Sequence, residues 1–153
     1  MKIFPALLLA LVPLTASALE VGDPVAPWTL LDQYDQPYTL SRDAQTLLVA
    51  RSMDAAKLVN AALQDSPKGY LEQHHAVFVA DIQKMPAIIA KMFAVPAMRA
   101  YSYRVMLDRD ARVVPRYPGD AEKVLLLRLQ DGKVFSQEQF SQAHDLRQAL
   151  DKR

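Results

Sequence analysis

The residues with the most chemical potential stand at one junction. Thr46 to Leu63 reads TLLVARSMDAAKLVNAAL, an apolar run of strand length that turns into an alanine-rich helix. Arg51, Ser52 and Asp54 occupy the turn. A helix N-terminus offers unpaired N–H groups and partial positive charge. Open α/β sheets bind ligands at the carboxyl ends of their strands. Arg51 and this N-terminus could therefore hold a small polar ligand or a loop of a partner. Asp81 ends the next apolar run, and Glu122 and Lys123, before the later run VLLLRLQ, would approach from the opposite side. These six residues are the candidate binding cleft. A purely structural account uses the same side chains: Ser52 or Asp54 caps the helix, and Arg51 pairs with Asp81. A third account is a non-redox enzyme with Arg51, Asp54 and Asp81 as its polar groups. It requires an open cleft, not one plugged by Met53, and a carboxylate of perturbed pKa.

Other chemistries find less support. The chain has no cysteine, so thiolate attack on a peroxide or a disulfide is excluded. Ser52 is no substitute, because an unassisted hydroxyl is a poor nucleophile near neutral pH. His74 and His75 are adjacent beside a strand, and neighbouring strand residues face opposite ways. They lack the spacing of a metal site. Asp108 and Asp110 read as a turn, and no Gly-x-Ser-x-Gly elbow is present. The four glycines, at 22, 69, 119 and 132, are scattered and form no phosphate cradle. No catalytic, metal or cofactor residue is assigned.

The elements that position the junction follow from pattern. MKIFPALLLALVPLTASALE has a basic Lys2, a short apolar run and a small-residue Ala16-Ser17-Ala18 ending. This is the order of a secretory signal, with cleavage expected after Ala18. The apolar run is shorter than the roughly 20 residues that span a bilayer, so no membrane anchor is expected to persist. The expected product is a periplasmic protein of one domain, residues 19–153. Lys2 is the only charge in the leader, which leaves 17 basic and 17 acidic residues. That balance argues against nucleic-acid binding.

Trp28–Leu31 and Pro37–Leu40 read as a hairpin around Asp32–Gln36. HAVFVADI is a second buried strand, KMPAIIAKMF a helix that Pro96 closes or kinks, and YSYRVMLD a third strand. Asp131-Gly132 between apolar runs marks another hairpin, and SQAHDLRQALDK is a terminal helix with an Ala143, Leu146, Ala149 and Leu150 stripe. Pro67 and Gly69 end the first helix. Met85, Met92, Met98 and Met106 suit core packing. Met85, Phe93 and Met98, with Tyr101, Tyr103 and Tyr117, are the alternative: an exposed apolar patch for a protein partner.

VGDPVAPWTLLDQYDQPYTL resembles the opening of peroxiredoxin and TlpA-type proteins, and LLLRLQDGKV before a helix resembles their closing hairpin. YRVMLDRDARVVPRYPGDAEKVLLLRLQDGKV is closer to the periplasmic YtfJ-type branch. The resemblance implies an α/β fold, a thioredoxin-like three-layer sandwich with a central mixed sheet and an N-terminal β-hairpin. Redox members of these families place a cysteine where this chain reads Arg51-Ser52-Met53-Asp54, and a cis-proline near the position of Lys123 or Val124. Neither is proline, and a cis bond there would cost about 3 kcal/mol, so a trans bond is expected. The leader, the thioredoxin-like fold that the resemblance implies and the missing cysteine together lead to the expectation of an exported, non-catalytic binding protein for a protein partner or a small ligand.

Overall fold

The computed structural model describes residues 19–152. The expected leader, residues 1–18, lies outside the described residues. Seven strands form one sheet: β1 (Thr29–Asp32), β2 (Pro37–Thr39), β3 (Thr46–Ala50), β4 (Ala76–Asp81), β5 (Met106–Asp108), β6 (Val124–Gln130) and β7 (Lys133–Phe140). Their spatial order is β2-β1-β5-β4-β3-β6-β7. β3, β4 and β5 pair in parallel and the remaining neighbours antiparallel, so the sheet is mixed as expected. β3 is buried along its whole length, which is why its sequence is a continuous apolar run instead of an alternating one.

The helices are α1 (Met53–Leu63), α2 (Tyr70–Gln73), α3 (Ala87–Ile89), α4 (Val95–Met98) and α5 (Ala143–Asp151). Their buried residues, with Leu48, Phe78, Leu126 and others from the sheet, form a single core on one face. Two steps in the same direction, β3 to β4 and β4 to β5, explain this. Parallel crossovers are right-handed, so α1 and the α3–α4 segment must lie on the same side. The other face buries Leu47, Val49, Val79, Leu125 and Leu127 under Trp28, Val113, Val114 and Tyr117. Its third layer is therefore thin: a 3-10 turn at Val114–Arg116 and the chain before β1. Along β6 the faces alternate, Val124 and Leu126 to the helical side, Leu125, Leu127 and Leu129 to the other.

Several elements differ from their sequence reading. β5, expected to run the length of YSYRVMLD, is three residues long, because the Gln33 side chain takes the backbone before it: Nε2 donates to the Tyr103 carbonyl at 2.7 Å and Oε1 accepts from Val105 N–H at 2.9 Å. α1 ends at Leu63, before Pro67 and Gly69, and α2 starts directly after Gly69. Pro96 does not close the second helical segment. A π-helical turn at Ala90–Ala94 precedes it, and α4 carries it in its first turn, where its missing N–H costs least. Asp131 and Gly132 both have positive φ, 52° and 76°, the two-residue turn that Asp-Gly favours. No cis peptide bond occurs among the described residues, so the bonds at Lys123 and Val124 are trans.

Candidate functional site

Ser52 settles the start of α1. Its backbone is extended, with φ −146° and ψ 166°, and its hydroxyl accepts from the Ala55 N–H at 3.1 Å. Ser52 is thus the N-cap, and Asp54 is an exposed first-turn carboxylate beside the positive helix end.

Arg51 leaves the end of β3 and does not pair with Asp81, contrary to the structural expectation. Its Nη2 donates to the carbonyl of Tyr117 and, at 3.4 Å, to that of Val114. Gly119 makes room for the guanidinium: a Cβ there would stand 3.2 Å from Arg51 Nη1 and 3.2 Å from Gln139 Oε1. Burial lowers the pKa of Arg51 from its ordinary value, and the nearby Asp81 carboxylate opposes that shift. Asp81 accepts instead from the Gln83 N–H at 2.8 Å. The carbonyls of the thin third layer offer Arg51 fixed acceptors, whereas Asp81 satisfies itself locally.

Two residues that the sequence reading did not place in the site complete it. Asp108 is fully buried at the end of β5, in register with Asp81. Its Oδ2 accepts from Val113 and Val114 N–H at 2.9 and 2.8 Å, and its Oδ1 from Arg112 N–H at 3.1 Å. Trp28 Nε1 donates to the Tyr117 hydroxyl at 2.9 Å, and burial raises the Tyr117 pKa. Residues 112–117 are thus clamped by Asp108, Arg51 and Trp28 across the strand ends. The signal in the sequence is that β4 and β5 both end in Asp; the partners lie 63 to 89 residues away for Arg51 and Trp28.

Glu122 and Lys123 are exposed in the turn before β6, where Asp120 accepts from their N–H groups at 2.9 and 3.3 Å. Among the described residues, no hydrogen bond or ion pair joins the side chains of Arg51, Ser52, Asp54, Asp81, Glu122 and Lys123 to one another. Met53 is half exposed and does not plug the junction; it borders a small cavity of about 80 Å3 with Asp81, Met98 and Tyr101. His74 turns inward, Nδ1 2.7 Å from the Tyr70 carbonyl and its ring 4.2 Å from that of Tyr70. No group of three His, Asp or Glu among the described residues could hold a metal ion.

The expected patch is only partly where the sequence put it. Met98, Tyr103 and Tyr117 are buried and Met85 packs against the core. Phe93 is 65% exposed, alongside Ile88 at 70%, Met92 at 64% and Ile89 at 45%. No helix of the described residues is long and apolar enough to cross a membrane.

No family model matches the sequence, and neither does any curated protein. Solved structures match the fold. Peroxidoxin BcpB from Mycobacterium tuberculosis is 18% identical, with 86% of this chain and 96% of that chain covered at a TM-score of 0.57. The thioredoxin domain of a thiol-disulfide oxidoreductase from Bacteroides vulgatus is 15% identical, with 88% and 98% covered at 0.57. A hypothetical protein from Sinorhizobium meliloti is 19% identical, with 88% and 84% covered at 0.59. The sheet order, the strand-to-helix junction and these likenesses together identify the chain as a thioredoxin-like fold without a cysteine.

Proposed function

We propose that this chain is an exported, periplasmic thioredoxin-fold protein that captures a protein partner and performs no thiol chemistry. The carrying observation is the apolar ridge on the α3–π–α4 segment. Ile88, Ile89, Met92 and Phe93 recur at intervals of four, so two adjacent rows share one face, and each is exposed. A contiguous exposed cluster of large apolar side chains is a mark of an interaction site. The leader motif supports export, and the strand-turn-hairpin run from Tyr103 to Val134 supports kinship with YtfJ-type proteins. The Arg51 junction supports ligand recognition less well, because the Asp81 carboxylate already stands near its guanidinium.

The test is capture from periplasmic extract by the immobilised mature chain, compared with Ile88→Ser and Phe93→Ser. Both side chains are exposed, so neither change should alter the unfolding midpoint appreciably. The expected result is one saturable partner whose retention falls about tenfold or more in each variant, as at an interface anchor. Equal retention by both variants would remove the ridge from the account.

A further inference from the structure

At the pole opposite Arg51, the start of β3, the end of β6 and the last turn of α5 border a cavity of about 730 Å3. That is the size of a small-molecule site. Arg128 and Lys152 bring two cations to its wall and His74 and His75 two imidazoles, and among the described residues no carboxylate lines it. Phe135, 64% exposed, forms an apolar side with Leu129 and Leu150.

Arg128 is the informative residue. It is half-buried; Nη1 donates to Thr46 Oγ1 at 2.8 Å and Nη2 to the Ala149 carbonyl. Of the other half-buried arginines, Arg51 stands unpaired but near the charge of Asp81, and Arg104 and Arg147 each have a carboxylate, Asp32 at 2.7 Å and Asp151 at 3.2 Å. Arg128 has none within 4.0 Å among the described residues. A partly desolvated cation without a counter-ion is costly, and a guanidinium held in place by neutral acceptors keeps donors in fork geometry for an incoming anion. Arg128 and Lys152 also border a smaller groove of about 250 Å3 that carries Glu138 and Asp145. Those acids disfavour a multiply charged guest.

We propose that this cavity binds a small organic monoanion, an aromatic or aliphatic carboxylate. Its head lies against Arg128 and Lys152 and its body against Phe135, Leu129 and Leu150. This site is independent of the apolar ridge.

Benzoate is the probe, with benzamide as its neutral counterpart and acetate as the head alone, titrated into the isotopically labelled protein and followed by amide chemical shifts. Saturable shifts are expected at Gln45, His75, Gln130 and Ser136. Benzamide and acetate should bind about tenfold more weakly or worse, as should benzoate to Lys152→Gln and to Phe135→Ser, the loss expected for one anchoring contact. Lys152 and Phe135 are exposed, so these variants keep the test valid where Arg128→Gln loosens α5. No saturation by about 10 mM, below any useful affinity, would overturn the proposal. So would benzamide or acetate equalling benzoate, or both variants binding as the parent does.

Discussion

Replacing Arg51 by Met removes the guanidinium that joins the end of β3 to residues 114–117 and keeps an apolar stem of similar length. The Tyr117 contact is a charge-assisted hydrogen bond, worth about 1.5–3 kcal/mol, while the 3.4 Å contact to Val114 adds little. Arg51 is half-buried, so water replaces part of what is lost. The expected destabilisation is about 2 kcal/mol, or about 8 °C in Tm for a domain of this size. Calorimetry measures it directly. Trp28 provides a second readout: it is the only tryptophan and bonds to Tyr117, so its emission should shift to the red in folded Arg51→Met. Arg51→Lys should recover less than half of the stability, because an ammonium lacks the fork. A Tm within about 1 °C of the parent, where surface substitutions normally fall, would show that Arg51 does not hold the third layer. Partner capture lost at that unchanged Tm would return Arg51 to the binding cleft.

Ser52→Ala should cost about 1 kcal/mol and speed amide exchange at Ala55; unchanged exchange there would deny Ser52 its capping role. Asp108→Ala leaves three N–H groups without their acceptor in a buried turn, for an expected loss of about 3 kcal/mol by urea unfolding. A loss below about 1 kcal/mol would contradict the clamp. Burial, reinforced by a hydrogen bond to Asp151 and opposed by Arg147, pushes the Tyr70 pKa from 10 up to about 12. The folded state thus holds the Tyr70 proton longer than the unfolded chain does. Its contribution to stability is complete below about pH 10 and is lost as pH rises towards about 12. Tyr70→Phe should flatten that alkaline decline in the urea midpoint, and an identical decline in the variant would count against the assignment.

The parts of the fold written in local pattern were legible. Asp131-Gly132 fixed the β6–β7 hairpin because its turn requires positive φ at both positions, and the apolar runs of β3 and β4 reflect burial on two faces. The helix cap was narrowed to two residues, and extended backbone at Ser52 chose between them. What escaped was set by distant partners. Nothing near Tyr103 announces that the Gln33 side chain will take its carbonyl and shorten β5. Nothing near Arg51 shows that its acceptors are the Val114 and Tyr117 carbonyls instead of Asp81. The apolar ridge was half legible: Phe93 was named, while Ile88, Ile89 and Met92 were read as helix and core because their composition alone is that of a buried face. The burial of Tyr103 and Tyr117 depends on partners in α1 and before β1, Asn60 and Trp28.

The proposed partner recognition by the α3–π–α4 ridge is best tested by site-specific photocrosslinking in cells, in the proposed periplasmic location. A photoreactive residue placed at position 88 or 93 should yield one discrete adduct, and the same probe at position 54 or 122 should yield none. Adducts from 54 and 122 with none from 88 and 93 would put recognition at the strand ends and contradict the account.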